Sequence, residues 1–119
     1  MHIIDALNIG GAQRLLVALA ARIPPGTCRT VVCALQPPDD CAAALRSHGA
    51  RVVCFNRSRP GIVNVLRFAA YVLGGIRDIL RLCRRERAAV VHCHLSDAEF
   101  LGISAGILAR VPRIVSTVH

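Results

Sequence analysis

Ala89-Val90-Val91-His92-Cys93-His94, then Ser96-Asp97-Ala98-Glu99 and an apolar stretch to Arg110, sets a strand pattern directly before a helix pattern. The first six residues are short and β-branched, the composition of a buried strand. The next four read as a capping box, in which the Ser96 hydroxyl and the Glu99 carboxylate each satisfy an orphan amide at a helix start. Such a cap is worth about 1 kcal/mol. Val111-Pro112 ends the helix, and Arg113 to Val118 reads as another strand.

The same alternation runs back to the start of the chain. His2 to Leu7 is a strand pattern, and Ala12 to Ile23 is helical, with Leu15, Leu19 and Ile23 four apart on one face. Pro24-Pro25-Gly26 stops that helix. Arg29 to Leu35 is a second strand, broken by Pro37-Pro38. Asp39 is placed to cap a short helix through Ser47, closed by Gly49. Arg51 to Phe55 is a third strand, and a turn at Pro60-Gly61 leads into the longest helix, Ile62 to Arg87. Alternation of this kind implies right-handed crossovers and an α/β, Rossmann-like parallel sheet flanked by helices.

Composition bounds the reading further. The 119 residues make one domain at most, and a chain of this length buries roughly two-thirds of its unfolded surface. Apolar residues are 54% and aromatics 3%, so the core is built from Ala, Val, Ile and Leu. The 15 basic residues are all Arg, which fits a GC-rich coding bias, and the net charge is +8. Phe68 to Ile76, nine residues, is the longest apolar run without an ionised side chain. It falls well short of the ~20 residues of a membrane span. Met1 is followed by a strand pattern and not by a basic and then apolar leader, so no signal peptide is expected. Cys28, Cys33, Cys41, Cys54, Cys83 and Cys93 form no C-x-x-C pair. Reduced thiols and a cytoplasmic location are expected.

Residues at the carboxyl ends of parallel strands are where ligands bind. Asn8-Ile9-Gly10-Gly11-Ala12 lies there, and its glycines at a helix start fit either a phosphate or diphosphate contact or a plain tight turn. It is not G-x-G-x-x-G, and no G-x-x-x-x-G-K-[ST] occurs, which weakens NAD and P-loop readings. His92-Cys93-His94 offers ligand types for zinc. In a strand, though, His92 and His94 share one face and Cys93 takes the other, so three convergent ligands are not expected and no metal is assigned. His94 is expected to face a ligand cleft. His119 follows the fifth strand, where an imidazole hydrogen-bonds near neutral pH.

Arg77, Arg81 and Arg84 share one face of the long helix. This fits either a solvated face or a helix lying on an anionic membrane surface. Nucleic acid is not an expected partner, because stacking aromatics are missing from among the charges. Gly102 and Gly106 inside a short helix indicate close packing on the sheet.

Two stretches together resemble a known family. Leu7-Asn8-Ile9-Gly10-Gly11-Ala12-Gln13-Arg14-Leu15-Leu16 resembles the glycine-glycine loop that opens the N-terminal, acceptor-side domain of family-4 glycosyltransferases. Val90 to Leu95, Leu101-Gly102, Val111 to Val115 and Thr117-Val118-His119 resemble the later segment of that domain. The resemblance implies a GT-B fold and a retaining hexosyltransferase using a UDP- or GDP-linked nucleotide-sugar donor. A lipid-linked or cell-envelope glycan acceptor is implied, with no cofactor. Gly10 and Gly11 would meet the donor diphosphate, His119 would sit beside the donor sugar, and His94 and Ser96 would line the acceptor side. Gln13 stands where many relatives carry Glu. The family's C-terminal nucleotide-binding domain is not among these residues, so the chain is expected to be an N-terminal fragment, inactive alone, peripheral on the inner face of the membrane. Two rival readings are an acceptor-binding partner subunit of a split enzyme and a dinucleotide-binding oxidoreductase or epimerase. Leu35-Gln36, where the latter would carry an acidic residue, counts against it.

Overall fold

Each of the five strand patterns becomes a strand of one sheet in the computed structural model, which describes all residues except 25, 27, 38, 58, 62, 63, 118 and 119. The strands are His2–Ala6 (β1), Val31–Gln36 (β2), Arg51–Cys54 (β3), Val90–His94 (β4) and Arg113–Thr117 (β5). All pairs are parallel, in the order β3-β2-β1-β4-β5. The helices are Gly11–Arg22 (α1), Ala42–Ser47 (α2), Val65–Glu86 (α3) and Ser96–Leu108 (α4). The chain steps outward from β1 to β3 and then returns through α3 to β4 on the other side of β1. The order therefore reverses between β1 and β4.

Alternation along the strands divides the core in two. Ile3, Cys33, Leu35, Val91 and Cys93 pack under Ile79 and Leu82 of α3 and Leu101 and Ala105 of α4. Ile4, Val32 and Ala34 pack against Ala12, Leu16 and Ala20 of α1 and Leu45 of α2. β2 is buried on both faces from Val31 to Leu35, which is why it reads as an unbroken apolar run. Gly102 bears out the close packing read from the sequence: a Cβ there would lie 2.5 Å from Cys93 Sγ and 3.1 Å from Ile3 Cδ1. At the far edge, Glu86 is buried at the end of α3 and paired with Arg29 at 3.1 Å and with Arg51. The two guanidiniums offset a carboxylate that the helix C-terminus disfavours.

Local details correct several sequence expectations. The predicted capping box does not form. Ser96 and Glu99 make no cap; Leu95 is the N-cap, and Asp5 at the end of β1 accepts the Ala98 amide at 2.7 Å. A carboxylate from a neighbouring strand thus does the work expected of Ser96. Asp39 contributes its backbone carbonyl, not its carboxylate, to the start of α2: it accepts the Ala42 amide at 2.9 Å, and Cys41 is the N-cap. The buried face of α1 is Ala12, Gln13, Leu16 and Ala20, while Leu15 is 42% exposed. Small Ala12 and Ala20 let the helix approach the sheet one residue round from the leucine stripe. α3 begins at Val65, capped by the Asn64 side chain, which accepts the Arg67 amide at 3.1 Å. The predicted features at Pro25, Pro38, Ile62, Val118 and His119 lie outside the described residues.

Candidate functional site

The strand order reverses between β1 and β4, so the connections leaving their carboxyl ends run to opposite faces of the sheet, and such a switch point is where parallel α/β sheets take ligands. Two connections line it: the loop from β1 to α1 and the single residue Leu95 between β4 and α4. A depression of about 550 Å³ between Ala20, Ile23, Arg29 and His48 lies at the amino end of β2, away from the carboxyl ends of the strands, and holds none of Gly10, Gly11, His94 and Ser96.

The first loop is held from inside by Gln13. Its carboxamide NH2 donates to the Ala6 carbonyl and to Asn8 Oδ1, both at 2.9 Å, and the residue is 5% exposed. Because Ala6 offers only an acceptor, an amide serves here where a carboxylate would be repelled. Gly10 is the N-cap of α1 in extended conformation, and a Cβ on it would lie 2.6 Å from Gln13 Oε1. Gly11 is different. A Cβ on it would meet nothing within 4 Å. The fold therefore does not require glycine at 11, and the space above it is open toward the helix N-terminus, where amides and dipole favour an anion.

The second connection is strained. Leu95 sits at φ 76°, ψ 169°, a region populated almost only by glycine, at a cost of about 1–3 kcal/mol. Ser96 is exposed at the first position of α4, whereas His94 is fully buried, which corrects the expectation that it faces a ligand cleft: it packs among its neighbouring imidazoles instead. The His94 ring lies 4.1 Å from the His92 ring, centroid to centroid, and its Nε2 lies 3.2 Å from His2 Nδ1. His92 Nε2 is bonded to the Thr117 hydroxyl. Burial, reinforced by the N-terminal charge and the neighbouring imidazoles His94 and His92, holds His2 down to about 3. The shared face of His92 and His94, with Cys93 opposite, agrees with the sequence pattern. A reading of this strand alone did not include His2, which β1 brings beside His92 and His94 as a third imidazole.

A polar network behind the switch point escaped the sequence reading. Asp97 Oδ2 accepts from the Tyr71 hydroxyl at 3.0 Å and from Gln36 Nε2 at 3.4 Å, and Arg59 lies 3.3 Å from Oδ1. Burial first, then the Asp97 hydrogen bond, pushes the Tyr71 phenol well up. Burial also raises Asp5, against the pull of the Ala98 amide. One signal was available: Asp5 is a charge inside an apolar strand, and a buried carboxylate needs a donor.

Residues 9–119 match the model of Glycosyltransferase Family 4. The chain belongs to that family. No curated protein and no solved structure matches it. The glycosyltransferase sheet has the Rossmann-like architecture of a GT-B domain, and the family implies a sugar donor and an acceptor in general. The glycine loop and the β4–α4 turn follow the two adjacent strands at the switch point of this glycosyltransferase domain. His119 lies outside the described residues.

Proposed function

We propose that this domain forms the acceptor-side wall of a retaining glycosyltransferase that moves a hexosyl group from a UDP- or GDP-sugar to a lipid-linked or cell-envelope glycan. The observation that carries this reading is Gly11, open above and not required by the fold, at a helix N-terminus on the switch point. The backbone amides of Gly10 and Gly11 would hold the donor diphosphate. Ser96 would meet the acceptor, with His94 supporting the turn from beneath. His119 would hydrogen-bond the donor sugar and orient its anomeric carbon without acting as a nucleophile. A second, nucleotide-binding domain would complete the cleft, and catalysis would rest on positioning and on stabilising the departing diphosphate.

A lipid-bearing acceptor is supported by the rim of the site. Ile9 beside the glycine loop, Val65 and Leu66 at the start of α3 and Phe100 in α4 are all more than 60% exposed. The outer stripe of α3 runs from Leu66, Ala70 and Leu73 to Arg77, Arg81 and Arg84, apolar near the site and basic beyond it. Such a stripe suits an anionic membrane surface. No helix among the described residues is long and apolar enough to cross a membrane.

The test is sugar transfer from UDP- and GDP-hexoses by this chain alone and joined to a donor-binding domain. Transfer is expected only from the joined protein, and His119→Ala in it should lower kcat/KM tenfold to a hundredfold, the loss of about 1–3 kcal/mol. Transfer by the purified chain alone would refute the two-wall reading, and an unchanged His119→Ala enzyme would remove that residue from the site.

A further inference from the structure

We propose that His2, His92 and His94 form a binding site for one divalent transition-metal cation of the zinc class, apart from the sugar-transfer reading. The sheet itself builds the site. β1 and β4 are parallel neighbours with His2 opposite His92 and Ile4 opposite His94, so strand alternation puts all three imidazoles on one face. One nitrogen from each ring lies within 4.8 Å of the others, and His2 Nδ1 and His94 Nε2 are already 3.2 Å apart.

Tetrahedral coordination with metal–nitrogen bonds of about 2.0–2.1 Å sets ligand atoms about 3.4 Å apart. The His2–His94 pair meets that spacing, and the His92 nitrogen within 4.8 Å of both leaves a small side-chain adjustment to close the site. An all-imidazole set selects Zn²⁺, Co²⁺, Ni²⁺ or Cu²⁺ over Mg²⁺ and Ca²⁺, which take oxygen ligands. Three protein ligands leave one position for water or a small anion. The Thr117 hydroxyl, bonded to His92, supplies the outer hydrogen bond that orients a ligating ring. His2 and His92 are half-buried, so the cation reaches the site from solvent, while buried His94 forms its floor. Because the ligands come from the two central strands, the bound cation ties β1 to β4 below the switch point, stabilising the fold in proportion to its saturation.

Co²⁺ is the probe, because its visible absorption reports ligand type and geometry. Titration of the reduced protein is expected to saturate at one equivalent. The spectrum should be that of nitrogen ligation without a thiolate charge-transfer band, and Zn²⁺ should displace it and raise Tm. His2→Gln and His92→Gln should each lose the spectrum and the Tm increase, while Cys28→Ser keeps both. Imidazole ¹⁵N resonances of the wild-type protein give a reading independent of variant folding: signals of His2, His92 and His94 should shift with Zn²⁺ and that of His48 should not. Non-saturable Co²⁺ binding, a thiolate band, or imidazole shifts confined to other histidines would overturn the proposal.

Discussion

Adjacent glycines at 10 and 11 should behave oppositely when each receives a methyl group. At Gly10 the new Cβ would stand 2.6 Å from Gln13 Oε1. The carboxamide must swing away and give up its bonds to Ala6 and Asn8. Two hydrogen bonds at about 1 kcal/mol each put the loss near 2 kcal/mol, a fall in Tm of roughly 5 to 10 °C for a domain of this size. At Gly11 nothing stands within 4 Å and the backbone is helical. Alanine there is a better helix former than glycine, so Gly11→Ala should leave Tm unchanged or slightly raised. Gly11→Val should fold as well but fill the space where the diphosphate is proposed to rest. Charge-assisted amide contacts are worth about 1.5–3 kcal/mol, so donor binding should weaken tenfold to a hundredfold. Thermal melts of both variants, with calorimetric titration of UDP- and GDP-sugars into the protein joined to its donor-binding domain, separate the two effects. If Gly11→Val keeps both its melting temperature and its donor affinity, the loop is a turn and the diphosphate assignment fails.

Other consequences are as direct. Asp5→Ala orphans the Ala98 amide and should cost about 1–3 kcal/mol, whereas Asp5→Asn keeps the acceptor, and Ser96→Ala or Glu99→Ala should change chemical denaturation by less than about 0.5 kcal/mol. Equal losses from Ser96→Ala and Asp5→Ala would restore the local cap. Gly102→Ala should destabilise by about 1–3 kcal/mol, since Cys93 and Ile3 are buried and have little room to retreat; a variant as stable as the wild type would mean that α4 rides freely over the sheet. Anionic vesicles should sediment the protein at low salt and release it at high salt, each near-surface Arg contributing about 1 kcal/mol, and Leu66→Ser should weaken the binding; salt-independent or absent binding counts against the α3 surface. Burial pushes Cys83 up to about 11 from an ordinary 9.0, so the unfolded chain loses that proton first and stability should fall as pH rises through about 9 to 11, a slope that Cys83→Ala should reduce and that a Tm flat across this range would contradict.

The fold was legible because the signals that set it are local. β2 is an apolar run closed by Pro37-Pro38 and β4 opens on a β-branched pair, and strand–helix alternation leaves a parallel sheet as the economical way to bury them. What the sequence hid depends on neighbours far along the chain. The α4 cap comes from Asp5, which is 93 residues from Ala98, so the local Ser96–Glu99 pattern was a plausible but unused alternative. Helix α1 shows the same limit within one element. Its leucine spacing marks a stripe, but the faces of a helix are chosen by what fits the sheet, and Ala12, Leu16 and Ala20 fit closer than Leu15.

The histidines make the point most sharply, because half of their arrangement followed from sequence and half did not. Alternation alone put His92 and His94 together and Cys93 behind them. Whether a third ligand meets them depends on which strand pairs with β4, and that is fixed only when the chain reverses its strand order and returns beside β1. The reversal that brings His2 to His92 and His94 also sends the connections bearing Gly11 and Ser96 to opposite faces of the sheet at the switch point. One topological step therefore creates both the proposed sugar-transfer wall above and the imidazole cluster below. Their chemistry separates them: exposed amides and a hydroxyl suit a diphosphate and a sugar, while nitrogen ligands packed within 4.8 Å suit a compact cation.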